Sequence, residues 1–101
     1  VTDPTAAQIE YAEHSLPSDA ELSELYDRSC RLCHAVEGMN APLTGHGADW
    51  AARMKAREGV NGLLNSAKYG YQMMPANGQC FDCSDDQFIA LIEFMAKDGG
   101  S

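Results

Sequence analysis

Two cysteines three residues apart, with a histidine directly after the second, constrain this chain more than any other stretch: Cys30-Arg31-Leu32-Cys33-His34. On a helix, positions i, i+3 and i+4 project from one face, so two thiols and an imidazole are aimed at a common target. That is the pattern of a c-type haem attachment site. Each thiol forms a thioether with one vinyl group of the porphyrin, and the adjoining imidazole ligates the iron. The remaining residues then have to supply a second iron ligand and an apolar core that lines the ring.

A chain of 101 residues suits one compact domain. No apolar run approaches the roughly 18 residues that suggest a membrane span, so direct membrane insertion is not expected. The sequence opens on the polar Val1-Thr2-Asp3-Pro4 without an initiator Met, and reads as a mature form or a piece of a longer chain. Covalent haem attachment implies export, so a periplasmic or secreted location is expected, and two further cysteines, Cys80 and Cys83, fit an oxidising compartment. Seven basic against fifteen acidic side chains leave a formal charge of -8. Such a surface repels nucleic acid and anionic lipid, and suits a partner with a basic docking patch. A monomer is expected.

Residues 1 to 17 read as an N-terminal extension or linker, in which Pro4 can start a short helix and Pro17 ends it. Residues 18 to 101 read as the main domain. Its first helix signal is a capping box at Ser18-Asp19-Ala20-Glu21, followed by Leu22, Leu25 and Tyr26 at helical spacing and running into the cysteine pair. Short helices are predicted over Ala48 to Arg57 and Val60 to Lys68, separated at Gly59. A second capping box, Ser84-Asp85-Asp86-Gln87, opens the last helix, where Phe88, Leu91, Ile92 and Met95 form one apolar stripe. No segment alternates with a period of two, so the fold class is all-α, with four to five helices around one haem. Leu25, Leu32, Val36, Leu43, Leu63, Leu64, Phe88 and Ile92 are expected to bury the ring, with Tyr69, Tyr71 and Phe81 packing around it.

The second iron ligand has several candidates: Met39, Met54, Met73, Met74, Met95, His14, His46 and water. Met73-Met74-Pro75 lies in an irregular stretch between helices, where a loop can carry a thioether over the far face of the ring. Proline holds the residue before it extended, which favours Met74, with Met73 as the alternative one position away. Met95 belongs to an apolar helical stripe and reads as core. His46, between Gly45 and Gly47, reads as a solvated loop histidine.

At this point the chain resembles a class I cytochrome c, and within that class it is similar to the c5 group. The matching segments are Cys30-Arg31-Leu32-Cys33-His34, Asn40-Ala41-Pro42, Asp49-Trp50 with Arg53, Gly62-Leu63-Leu64, Met74-Pro75 and Cys80-Phe81-Asp82-Cys83-Ser84-Asp85-Asp86. The resemblance implies that Cys30 and Cys33 hold haem c, with His34 as proximal and Met74 as distal ligand. It implies that Pro42 offers its carbonyl oxygen to the His34 Nδ1–H, that Trp50 and Arg53 reach haem propionates, and that Cys80 and Cys83 form a disulfide. Gln72 stands where relatives usually carry an Asn that donates to the ligand sulfur, and Ala76 and Asn77 replace a second proline and a lysine.

Two protein ligands on iron leave no open position for substrate, so the expected function is electron transfer by a soluble carrier or by an electron-transfer domain of a larger redox protein, not enzymatic catalysis. One competitor is a haem enzyme or gas sensor with a labile or open sixth iron site. The other is a zinc module in which Cys30, Cys33, Cys80 and Cys83 share a metal.

Overall fold

A computed structural model describes residues 3–39, 41–70 and 74–99. Among them are six α-helices: α1 (Ala6–His14), α2 (Ala20–Asp27), α3 (Arg31–His34), α4 (Gly47–Ala56), α5 (Val60–Tyr69) and α6 (Asp85–Ala96). A 3-10 turn spans Ala76–Gln79, and no β-strand occurs among the described residues. The all-α expectation holds, but the helix count exceeds the expected four to five.

Two local features set the number, and the second of them adds the extra helix. The first is a capping box in the N-terminal segment: Thr5 Oγ1 accepts from the Gln8 N–H at 3.2 Å, and Gln8 Oε1 accepts from the Thr5 N–H at 2.8 Å, which starts α1. The second is a break ahead of the cysteines. The helix that was expected to run into them stops at Asp27, and the Ser29 hydroxyl back-bonds to the Leu25 carbonyl. The chain then re-enters helix as the short α3. The start of α2 is also shifted: Asp19, not Ser18, is the N-cap, its Oδ2 accepting from the Leu22 N–H at 2.9 Å. The capping box at Ser84 and Gln87 is formed as the sequence predicts.

Helices α2, α4, α5 and α6 pack around one core. The α6 stripe is its centre, with Phe88, Leu91, Ile92 and Met95 all buried. Leu25 and Tyr26 of α2, Trp50 of α4, and Leu63 and Ala67 of α5 close on that stripe. The Tyr26 ring meets Phe94 edge-on, centroids 5.1 Å apart. Leu43 is buried as expected, and Leu64 packs against the core from its margin.

Four of the expected ring neighbours lie outside. Leu32 and Val36 are 57% and 50% exposed: Leu32 lies off the face of α3 that turns Cys33 and His34 inward, and Val36 lies in the bend after that helix has ended. Tyr69, the last residue of α5, and Phe81, in the turn between Cys80 and Cys83, are 73% and 76% exposed. Tyr71 lies outside the described residues.

Two connections set the geometry of the interior. The loop after α3 is held from several sides: the Thr44 N–H donates to the His34 carbonyl at 2.8 Å, the Gly45 N–H donates to the Met95 carbonyl at 2.8 Å, and the Tyr26 and Thr44 hydroxyls are 2.9 Å apart. Between α4 and α5, Glu58 and Gly59 both take left-handed φ (65° and 93°), and the Gly59 N–H donates to the Met54 carbonyl at 2.6 Å. This tight reversal drives Gly62 of α5 against the Arg57 carbonyl, leaving no room for a Cβ.

The N-terminal segment is docked on the body. Ala12 is fully buried, Pro17 is buried, and Arg31 Nη2 donates to the Glu13 carbonyl at 3.1 Å.

Candidate haem-binding site

The inward face of α3 opens onto a cavity of about 230 Å³. A water molecule's share of liquid volume is about 30 Å³, and native interiors hold few voids larger than one water. A void of this size in so small a chain marks a core that the side chains alone do not fill. Its walls are mostly apolar, with Leu63, Ala67, Phe88, Leu91, Ile92 and Met95 on the side of α5 and α6.

One wall carries the Cys-x-x-Cys-His residues. Cys30 and Cys33 line the cavity together with His34, and neither is bonded to another cysteine. Burial pushes the Cys30 thiol above its ordinary pKa, partly offset by its hydrogen bond with Ser29. His34 is buried, and its Nδ1 lies 2.7 Å from the Pro42 carbonyl oxygen. A carbonyl can only accept, so Nδ1 carries the proton and Nε2 keeps its lone pair. Burial holds the imidazole below its ordinary pKa against the opposing effect of the Pro42 carbonyl, and nearby Arg53 adds to the lowering. The result is a neutral ring held in the tautomer a metal needs.

Met74 and Gly78 line the same cavity. A Cβ on Gly78 would sit 2.8 Å from Met74 Cε, so this glycine leaves room for the thioether. Met73 and Gln72 lie outside the described residues, as does Asn40.

The chain matches the family model described as cytochrome c oxidase, cbb3-type, subunit III over residues 17–95. It is 42% identical to cytochrome c5 of Azotobacter vinelandii over 67 residues, covering 66% of this chain and 81% of that one. It is 34% identical to cytochrome c5 of Ectopseudomonas mendocina over 73 residues, covering 72% and 84%. With cytochrome c-555 of Chlorobaculum tepidum it shares 36% identity over 74 residues, covering 69% and 67%. The chain belongs to the class I cytochromes c, in the c5-like group.

This cytochrome carries covalently bound haem c with iron, and it works in electron transfer with redox proteins, not as an enzyme. The chemistry of the cavity fits that cofactor: two cysteine sulfurs, a neutral imidazole and a thioether face one apolar space. The second cysteine pair stands apart from it. Cys80 and Cys83 lie beside each other, Cα atoms 5.5 Å apart, and neither lines the cavity. A four-thiolate zinc site therefore lacks its second pair. Among the described residues, no group of three or more His, Cys, Asp or Glu is arranged to hold a metal ion.

Trp50 departs from the role implied for it. Its ring lines the cavity and tilts against His34, centroids 5.3 Å apart, but its indole N–H donates to the Leu43 carbonyl at 2.9 Å. An indole has one donor, so this bond takes it away from a propionate and spends it on the loop that carries Pro42. Arg53 also lines the cavity, with its Nε donating to Asp49 Oδ1 at 3.2 Å. Arg57 lines it as well and was missed from sequence. Its spacing of four residues from Arg53 on one helix was the available signal. His46, expected in solvent, is buried where the loop meets the start of α4.

Among the described residues, no helix is long and apolar enough to cross a membrane.

Proposed function

We propose that Cys30 and Cys33 bond the haem, that His34 Nε2 ligates its iron from one side and that the Met74 sulfur does so from the other. The observation that carries this reading is the His34–Pro42 hydrogen bond at 2.7 Å, which leaves Nε2 free in a cavity that Met74 also lines. When bound, a His/Met-ligated haem supplies a reversible one-electron couple at a potential raised by the soft thioether. The chain's part is to hold both axial atoms fixed, exclude water with the α5 and α6 walls, and offset propionate charge with Arg53 and Arg57 at the cavity. Gln72 stands two residues before Met74 and is the side chain we assign as a donor to its sulfur.

Residues 1–17 are taken as an extension of a haem domain spanning 18–101. The protein acts as a monomeric carrier, or as an electron-transfer domain of a larger redox protein, in the periplasm or outside the cell. A formal charge of -8 supports a partner with a basic docking patch, met briefly through a small interface.

Two measurements on the protein matured in a competent host test this reading. Haem should stay with the polypeptide through denaturation, and the oxidised protein should show the weak far-red charge-transfer band of methionine–iron(III) ligation. A colourless product, or loss of haem on denaturation, would sink the thioether assignment. Absence of the far-red band at neutral pH would favour the open-site alternative, a haem enzyme or gas sensor.

The Cys80–Cys83 bridge is proposed to persist in the mature protein as a structural element. Cys83→Ser should then lower stability by about 2 kcal/mol, the loop-entropy value for so short a ring, and leave the visible spectrum intact. Chemical denaturation followed by absorbance reads both at once. A bleached haem would mean that Cys83 has another role.

A further inference from the structure

Helix α1 lies outside the residues matched by the family model, which begin at 17, yet it meets both the helix that carries His34 and the loop that follows Pro42. Tyr11 of α1 is half-buried, and its ring is wedged between two glycines. A Cβ placed on either Gly45 or Gly99 would come within 3.0 Å of the Tyr11 ring carbons. Gly45 has a φ of 87° and is hydrogen-bonded on both sides: its N–H donates to the Met95 carbonyl at 2.8 Å, and its carbonyl accepts from the Gly99 N–H at 3.0 Å. The ring thus fills a seam that exists because both partners lack side chains.

The seam is part of the His34 environment. Gly45 stands three residues after Pro42, whose carbonyl accepts from His34 Nδ1, and directly after Thr44, whose N–H donates to the His34 carbonyl. Two residues beyond Tyr11, the Glu13 carbonyl accepts from Arg31 Nη2 at 3.1 Å. Arg31 sits between the two cysteines, three residues before His34. Helix α1 therefore grips α3 at one point and the Pro42 loop at another.

We propose that Tyr11 is a positioning residue, a latch that holds the 42–46 loop against α3 so that the His34–Pro42 hydrogen bond keeps its length and direction and sets the basicity of the proximal ligand. A well-aligned Nδ1–H···O bond makes the imidazole a stronger donor, which favours oxidised iron. Letting the loop drift weakens that bond and favours the reduced state. The packing is carried by ring carbons, so Tyr11→Phe preserves the latch and Tyr11→Ala removes it. The proposal rests on His34 as the proximal ligand.

The test uses the full-length holoprotein and its Tyr11→Ala and Tyr11→Phe variants. In the reduced, diamagnetic state, NMR gives the hydrogen-exchange rates of the His34 Nδ1–H and the Thr44 amide, and a redox titration gives the potential. In Tyr11→Ala both protons should exchange roughly tenfold faster, as expected for a local opening, while the Leu91 amide in α6 keeps its parent rate. The potential of Tyr11→Ala should rise, and Tyr11→Phe should match the parent in every readout. An unchanged or lower potential, an unchanged His34 exchange rate, or acceleration that includes Leu91 each overturns the latch. Should Tyr11→Ala give too little holoprotein, Tyr11→Leu, which is apolar but not planar, is judged by the same criteria. Absence of the His34 Nδ1–H resonance in the parent protein would remove the ligand assignment itself, whereas a parent that shows it beside an indifferent variant removes the latch alone.

Discussion

Replacing Met74 with alanine should lower the reduction potential by a few tenths of a volt, a sizeable part of the about 0.8 V range that axial ligands command. The argument is one of differential stabilisation. A thioether is a soft, neutral donor that favours the ferrous state, and water or a stray nitrogen ligand in its place favours the ferric state. The Met74 side chain approaches Gly78 closely, so its removal leaves a gap that water can enter. The oxidised variant should become high-spin or exchange its ligand, and the far-red band should vanish. Redox titration and optical spectroscopy check both statements. A spectrum identical to the parent's would transfer the distal role to Met73.

Gly62→Ala should destabilise the protein by about 3 kcal/mol, near the upper end for an overpacked interior. Two effects oppose each other at this position. Alanine is the better helix former by about 1 kcal/mol, which argues for a gain in α5. Its Cβ, however, would fall far inside contact distance of the Arg57 carbonyl, a backbone atom that no rotamer change can move. Relief requires opening the Glu58-Gly59 reversal, where two consecutive residues already hold left-handed φ. Sterics therefore win over propensity. The thermal midpoint of the ferric protein should fall by more than about 10 °C, given roughly 4–8 °C per kcal/mol in a domain of this size. A midpoint equal to or above the parent's would show that this turn opens at little cost.

How much of this was legible in the sequence depends on how local each signal is. The Cys30, Cys33, His34 face and the Ser84–Gln87 capping box are set by residues within a turn of one another, and both stand in the structure as their spacing predicts. The α6 stripe was legible for the same reason. The Pro42 carbonyl could be named through the family resemblance, and its distance from His34 Nδ1 agrees with that implication. The acceptor for the Trp50 N–H, the Leu43 carbonyl, could not be named in advance because it becomes a neighbour only once the loop has closed. Leu32 and Val36 were assigned to the core on hydrophobicity alone, although helical geometry already set Leu32 apart from the cysteine face. The docking of α1 rests on contacts between residues far apart in the chain, among them Tyr11 with Gly45 and Gly99, which no local pattern reveals.

The cavity has a consequence for how molecules of this cytochrome are made. Its walls leave about 230 Å³ that no side chain occupies, so the bare polypeptide lacks contacts its finished core depends on. The haem-free chain should therefore unfold at a lower temperature than the mature protein, which thermal denaturation of the two forms checks.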